Sequence, residues 1–179
     1  MMRRPWNMLA RFARNRRGLA AVEFALILPI MLPMLYGMVE LGNIYLLDRK
    51  ITRAAMIGAD LIAQTETVST SDLTDVMDAI DQIIQPYDPS TRKVVMTQVY
   101  YDPDDDRTEV DWSVARNTAA DVAGTPYTLP NNLIESGQSV IVVKFDYTYT
   151  PKLAHFVGDL SISDTAYLKP RLVLRIPKT

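Results

Sequence analysis

The sixteen residues Phe24–Val39, FALILPIMLPMLYGMV, carry no charge, and their reading decides how the chain is built. As a helix this run covers about 24 Å, short of the roughly 30 Å hydrocarbon core of a bilayer. Leu19 to Val22 and Leu41 to Leu47 extend it, and Glu23 and Glu40 are the only charged residues between Leu19 and Leu47. Pro29 and Pro33 each remove a backbone donor and would cost a soluble helix about 3 kcal/mol apiece, whereas membrane helices tolerate prolines when neighbours satisfy the released carbonyls. The expectation is a kinked membrane helix over residues 19–47. No Ala-x-Ala site follows the run before Asp48, so it reads as a retained anchor and not as a cleaved secretory signal.

Six arginines, Arg3, Arg4, Arg11, Arg14, Arg16 and Arg17, precede the first acid, while residues 18–179 hold 13 basic against 21 acidic side chains. A basic tip can bind nucleic acid or orient a membrane span; here it runs straight into the apolar helix. That favours the membrane over nucleic acid and, by the positive-inside rule, puts the N-terminus in the cytoplasm and residues from about Asp48 outside. A chain of 179 residues, 48% apolar with 7 glycines, suits one ordinary domain beside its anchor. There is no cysteine, hence no disulfide, thiol nucleophile or thiolate metal site. A single histidine, His155, leaves little room for Ser-His-Asp chemistry and none for a histidine-rich metal centre. The chain is therefore expected to be no enzyme and to carry no cofactor.

Gly18 followed by Leu19-Ala20-Ala21-Val22-Glu23-Phe24 resembles the processing site of type IV prepilins and pseudopilins. The resemblance implies cleavage by a prepilin peptidase after Gly18, a new N-terminus at Leu19, and Glu23 as the glutamate five residues beyond the cut. Phe24 resembles the second member of the Glu-Tyr or Glu-Phe pair of the tight-adherence branch. A small residue lets a protease approach the backbone, and a carboxylate near the membrane needs a cation. In an assembled bundle the Leu19 amine is such a cation, strengthened by a low local dielectric. The plainer alternative is an interfacial acid satisfied by Arg16 or Arg17. Glu23-Phe24-Ala25, Pro29, Gly37, Glu40-Leu41-Gly42, Arg53-Ala54-Ala55 and Gly58-Ala59 together look like the N-terminal signature of the TadE family over residues 18–60. Family members often carry arginine where this chain has Asp60. Glu40 lies 17 residues beyond Glu23, about 25 Å along a helix, near the outer interface. Two readings are open for it: an acid in contact with water, or a partner within a helical bundle.

Ile44, Leu47, Ile51, Ala54, Gly58 and Leu61 recur at helical spacing, so the membrane helix should continue as an amphipathic stem to about Gln64. Ser71 is placed to cap a second helix with Leu73, Val76, Met77, Ile80 and Ile84 as its apolar face, ended by Pro86 and Pro89. Val94 to Tyr101 and Glu109 to Val114 read as a hairpin across the acidic turn Asp102 to Arg107. Ile141, Val143, Phe145, Tyr147 and Tyr149 alternate on a strand; Leu168, Leu172, Leu174 and Ile176 suggest another, with Pro170 marking an edge. Ala115 to Gln138 shows no period and is expected to be a long surface loop. Asp102, Asp104 and Asp106 have the spacing of a calcium loop, but Arg107 stands where glycine is required and no bidentate glutamate follows. Ser90-Thr91-Arg92-Lys93 has a Ser-x-x-Lys spacing without companion motifs. Tyr100, Tyr101, Tyr147 and Tyr149 are either packing residues or an exposed stripe.

The expected fold is α+β and pilin-like: a basic leader (1–18), a transmembrane helix (19–47), and a periplasmic domain (48–179) with a stem, a short helix and an antiparallel sheet. The resemblance implies a pseudopilin or minor pilin that takes part in assembly or initiation of a tight-adherence type IV (Flp) pilus, and so in surface attachment. Its implied partners are a prepilin peptidase, the inner-membrane assembly platform, the major pilin and a related pseudopilin. The chain would sit in the inner membrane as a single-pass protein and could enter the extracellular fibre. Gly18 and Leu19 are the processing residues of this reading, and Glu23, Phe24 and Glu40 its assembly residues. The first rival is an uncleaved bitopic scaffold with a periplasmic interaction domain. A larger adhesin-like relative is disfavoured by the short body and the lack of Asp-x-Ser-x-Ser, and an enzyme by the lack of convergent catalytic groups.

Overall fold

The computed structural model describes residues 18–130, 133–152 and 158–179. The leader arginines and His155 lie outside the described residues. Helix α1, Leu19–Ala63, runs for 45 residues, about 68 Å, and is continuous through Pro29 and Pro33. Its two halves differ in what they touch. No residue before Glu40 is buried, whereas Leu47, Ile51, Ala54, Ala55, Gly58, Ala59, Ile62 and Ala63 all pack into the body. The expected stem ends where anticipated, with Gln64 as its C-cap. Its stripe is corrected at one place: Leu61 is exposed and Ile62 takes the core position, with Ala55 and Ala59 widening the face. The small residues let the sheet and second helix approach closely. At Gly58 an added Cβ would come within 2.6 Å of Ile80 Cδ1.

Helix α2, Thr70–Ile84, buries Leu73, Met77, Ile80 and Ile84, as its period predicts. Its cap is Ser69, not Ser71. Ser69 has extended backbone, its hydroxyl accepts from Asp72 N, and Asp72 Oδ2 accepts from Ser69 N at 2.8 Å, a reciprocal capping box. Ser71 lies inside the first turn, where its hydroxyl only meets that of Ser69. A short 3₁₀ turn, Pro89–Thr91, then leads into the sheet.

The sheet has four antiparallel strands in the order β2-β1-β3-β4: β1 Arg92–Asp102, β2 Arg107–Arg116, β3 Ser139–Tyr149 and β4 Leu160–Leu168. β1 and β2 form the expected hairpin, Asp102 facing Arg107, with a bulge at Gln98/Val99. The C-terminal strand is corrected. β4 precedes Pro170 and uses Leu160, Ile162, Ala166 and Leu168, whose alternation is interrupted by Asp164. Beyond Pro170, Leu172 and Leu174 are exposed and the tail crosses the body without joining the sheet. It is held instead at Ile176, whose N–H and carbonyl are both bound by the Gln98 side chain at 3.0 and 3.1 Å, with Trp112 Nε1 donating to the same carbonyl at 2.9 Å.

One face of the sheet, with Val94, Met96, Ile141, Val143, Phe145, Tyr147 and Tyr149, packs against both helices. The other, with Val99, Val140 and Val142, is covered by Tyr127, Leu129, Leu133 and Ile134. The segment expected to be a surface loop therefore roofs a second small core. Ala115 and Arg116 belong to β2, and Val110 and Thr108 exchange backbone hydrogen bonds with Gly124, Thr125 and Tyr127, which closes the β2 edge.

Candidate functional site

Gly18 caps α1 with its backbone near the helical region, and no atom lies within 4 Å of where a Cβ would stand. Leu19 opens the helix, and Leu19, Glu23 and Phe24 are all exposed. Among the described residues Glu23 makes no hydrogen bond or ion pair. α1 is long and apolar enough to cross a membrane, and none of its most apolar stretch is buried against the body. An isolated soluble domain would not leave Leu26, Ile30, Met34, Leu35 and Met38 open to water.

Glu40 ends the bare half and is held by the body of its own chain. The residue is only 4% exposed. Its Oε1 accepts from Tyr149 Oη at 2.7 Å and from the Lys152 backbone N–H at 3.0 Å, while Oε2 is buried with no partner among the described residues. Helical period places it on the same face of α1 as Leu47 and Ile51, which the body covers; contact with water is thereby lost. Burial pushes the Tyr149 phenol well above its ordinary pKa of 10.0, and the hydrogen bond to Glu40 adds to the shift. One turn further along, Tyr87 Oη donates to the Asn43 carbonyl at 3.0 Å. Its ring meets Tyr147 and Tyr149 edge-on at 6.4 and 6.3 Å. Lys50 reaches the carbonyls of Ile83 and Gln85 at the end of α2. The base of the body is thus tied to α1 at three levels, Glu40, Asn43 and Lys50, and the lowest tie is Glu40.

The tyrosine set divides accordingly. Tyr147 and Tyr149 are buried packing residues, while Tyr100 and Tyr101 are half-exposed, Tyr100 beneath the Arg175 guanidinium at 4.6 Å. At the acidic turn, Asp102 Oδ1 accepts from Asp104 N at 2.9 Å and Asp106 Oδ1 from Tyr101 Oη at 2.6 Å, and Asp105 pairs with Arg107 at 2.9 Å. The carboxylates of Asp102, Asp105 and Asp106 thereby serve the turn itself. Among the described residues no group of three or more histidines or acids is placed to hold a metal ion.

Sequence reasoning missed Tyr149 and Lys152 as partners of Glu40. The available signal was weak: a buried acid needs donors, and tyrosines at the end of an alternating strand could supply them, but nothing local joins the two segments. Residues 18–60 match the family model described as TadE-like protein, and that family is a structural, non-enzymatic one. No curated protein and no solved structure matches the chain.

Proposed function

We propose, from a TadE-like N-terminal helix carried by an α+β body, that this chain is a pseudopilin or minor pilin of a tight-adherence type IV pilus, acting in its assembly or initiation. One observation carries the reading. The family match covers the bare half of α1, whose residues are open to a membrane or to neighbouring helices, and continues into the stem that carries the body. In this reading residues 1–18 are a cytoplasmic leader removed by a prepilin peptidase between Gly18 and Leu19. Residues 19–47 cross the inner membrane, and residues 48–179 stand in the periplasm. The assembly platform, the major pilin and a related pseudopilin are the partners.

The two acids of the helix then have different work. Glu23, exposed and without a partner among the described residues, meets the Leu19 amine of a neighbouring subunit, and Phe24 lies against adjacent helices. Glu40 acts within its own chain, fixing the body on α1 so that neighbouring bodies pack when their helices do. Intact-mass analysis of the protein from membranes of cells with an active prepilin peptidase tests the proposal. A chain beginning at Leu19, together with loss of pili when the gene is deleted, is expected. A retained leader with normal pili would instead identify an uncleaved bitopic scaffold.

A further inference from the structure

The outer face of α1 above the membrane is apolar and carries charge that nothing in the chain neutralises. Of the seven arginines among the described residues, Arg92, Arg107, Arg116, Arg171 and Arg175 pair with carboxylates, and Arg49 and Arg53 do not. Residues 1–17, 131–132 and 153–157 contain no acid that could pair with them. Arg49 donates to the neutral Tyr45 hydroxyl from Nε at 2.9 Å and from Nη2 at 2.5 Å, its guanidinium 5.1 Å from the ring centre, and these contacts leave its charge uncompensated. Arg49 and Arg53 stand one turn apart on one face, a like-charge spacing that weakens a helix unless something opposite answers it. Asp60 further along is already engaged by Arg171.

The same side of the helix continues to Met56 and Ile57, 56% and 37% exposed, lining an open groove against Tyr167 and Leu168 of β4. Met56 lies nine residues beyond Leu47, where the span ends, about 14 Å along the axis. Headgroups reach only roughly 5–8 Å past the hydrocarbon, so lipid does not cover it.

We propose that this face docks the helical stem of a second, different membrane-anchored protein, running alongside α1, with two carboxylates one turn apart opposite Arg49 and Arg53 and apolar residues over Met56 and Ile57. A second copy of this chain is the wrong occupant. Two copies anchored in one membrane run parallel, and pairing through this face would set Arg49 and Arg53 against their own counterparts. The face is continuous with the bare membrane half of α1, which is why the occupant is itself anchored. The inference rests on the single-pass part of the reading above and not on leader cleavage.

The test places the photo-crosslinking residue benzoyl-phenylalanine at position 56 of the full chain in its native membrane. The expected result is an adduct whose crosslinked peptide, read by mass spectrometry, is the stem of a different membrane-anchored chain bearing carboxylates one turn apart. Its yield should fall by about tenfold in R49E/R53E, which exchanges two attractive contacts for repulsive ones, and persist in R49K/R53K. An adduct with a second copy, with lipid alone, or with a yield indifferent to charge reversal overturns the proposal, as does no adduct. A processed chain that supports pili but gives no adduct removes this surface alone; the expected adduct from an unprocessed chain removes the pilin reading alone.

Discussion

A carboxylate inside an otherwise apolar helix must find donors, and Glu40 finds two that lie 109 and 112 residues further along the chain. Tyr149→Phe would leave the buried carboxylate with the Lys152 N–H alone and should destabilise the body by about 1.5–3 kcal/mol, the range for hydrogen bonds to charged groups. Thermal unfolding of the full chain in detergent, monitored by near-ultraviolet circular dichroism, measures this; an unchanged midpoint would mean the bond contributes nothing. The same tyrosine gives a pH dependence. Its folded pKa is raised, so the protonated phenol stabilises the fold fully below the ordinary value of 10.0, and that stability is lost as pH rises from there towards the folded pKa. Alkaline destabilisation should therefore begin near pH 10 and be shallower in Tyr149→Phe, though not absent, because burial also raises Tyr87 and Tyr127. Glu23 offers the opposite case, an exposed acid whose loss should not harm the fold. Glu23→Ala should insert at least as well as the parent, by up to about 3 kcal/mol at a membrane centre and less near the interface, yet impair pilus assembly at matched abundance, with Glu23→Asp intermediate. Normal pilus counts from Glu23→Ala would reduce Glu23 to an interfacial acid. The spacing of the two acids was legible in the sequence and placed Glu40 at the edge of the membrane. Its burial was not, because that depends on how α1 lies across β3, which no local pattern encodes.

At the scale of elements, what the sequence disclosed depended on whether the signal was periodic. The 3.6-residue stripe of α2 and the alternation of β3 are properties of single segments, and both appear where the pattern puts them. The α2 cap was misread by two residues because Ser69 and Ser71 are both good caps, and only the reciprocal bond from Asp72 distinguishes them. Ser69→Ala should therefore cost about 1 kcal/mol of stability, while Ser71→Ala should cost a few tenths at most. Thermal melts of the two variants side by side check this, and equal losses would contradict the assignment. β4 was missed for a related reason: Asp164 breaks its alternation, whereas Leu172, Leu174 and Ile176 alternate cleanly but never pair. What holds Ile176 is Gln98, a polar side chain in a buried strand, which binds both polar groups of one backbone unit 78 residues away and also donates to the Asp111 carboxylate. The loop before β3 was underestimated because Tyr127, Leu129, Leu133 and Ile134 have no period, and their burial depends on the sheet face beneath them.

For the whole molecule, orientation is the property on which every partner depends, and the charges flanking the span determine it. Six arginines stand before residue 18, against Arg49, Lys50 and Arg53 just beyond the span; the next basic residue is Arg92. Only basic residues within about 15–20 positions of a span count, so the comparison is six against three and the N-terminus should remain in the cytoplasm. The acids of the body do not enter, since the rule is not one of net charge. The margin is modest, because the docking face proposed on α1 retains cations on the translocated side. A reporter fused after Thr179 and active only in an oxidising compartment should be active in the parent chain. Replacing the six leader arginines with glutamine reverses the comparison to none against three, and reporter activity should fall as a fraction of chains inverts. Replacing Arg49, Lys50 and Arg53 as well removes the reversed bias and should restore part of the activity. A parent chain whose reporter works only in the cytoplasm would overturn the orientation, and with it the periplasmic body, the leader site and the assembly partners together.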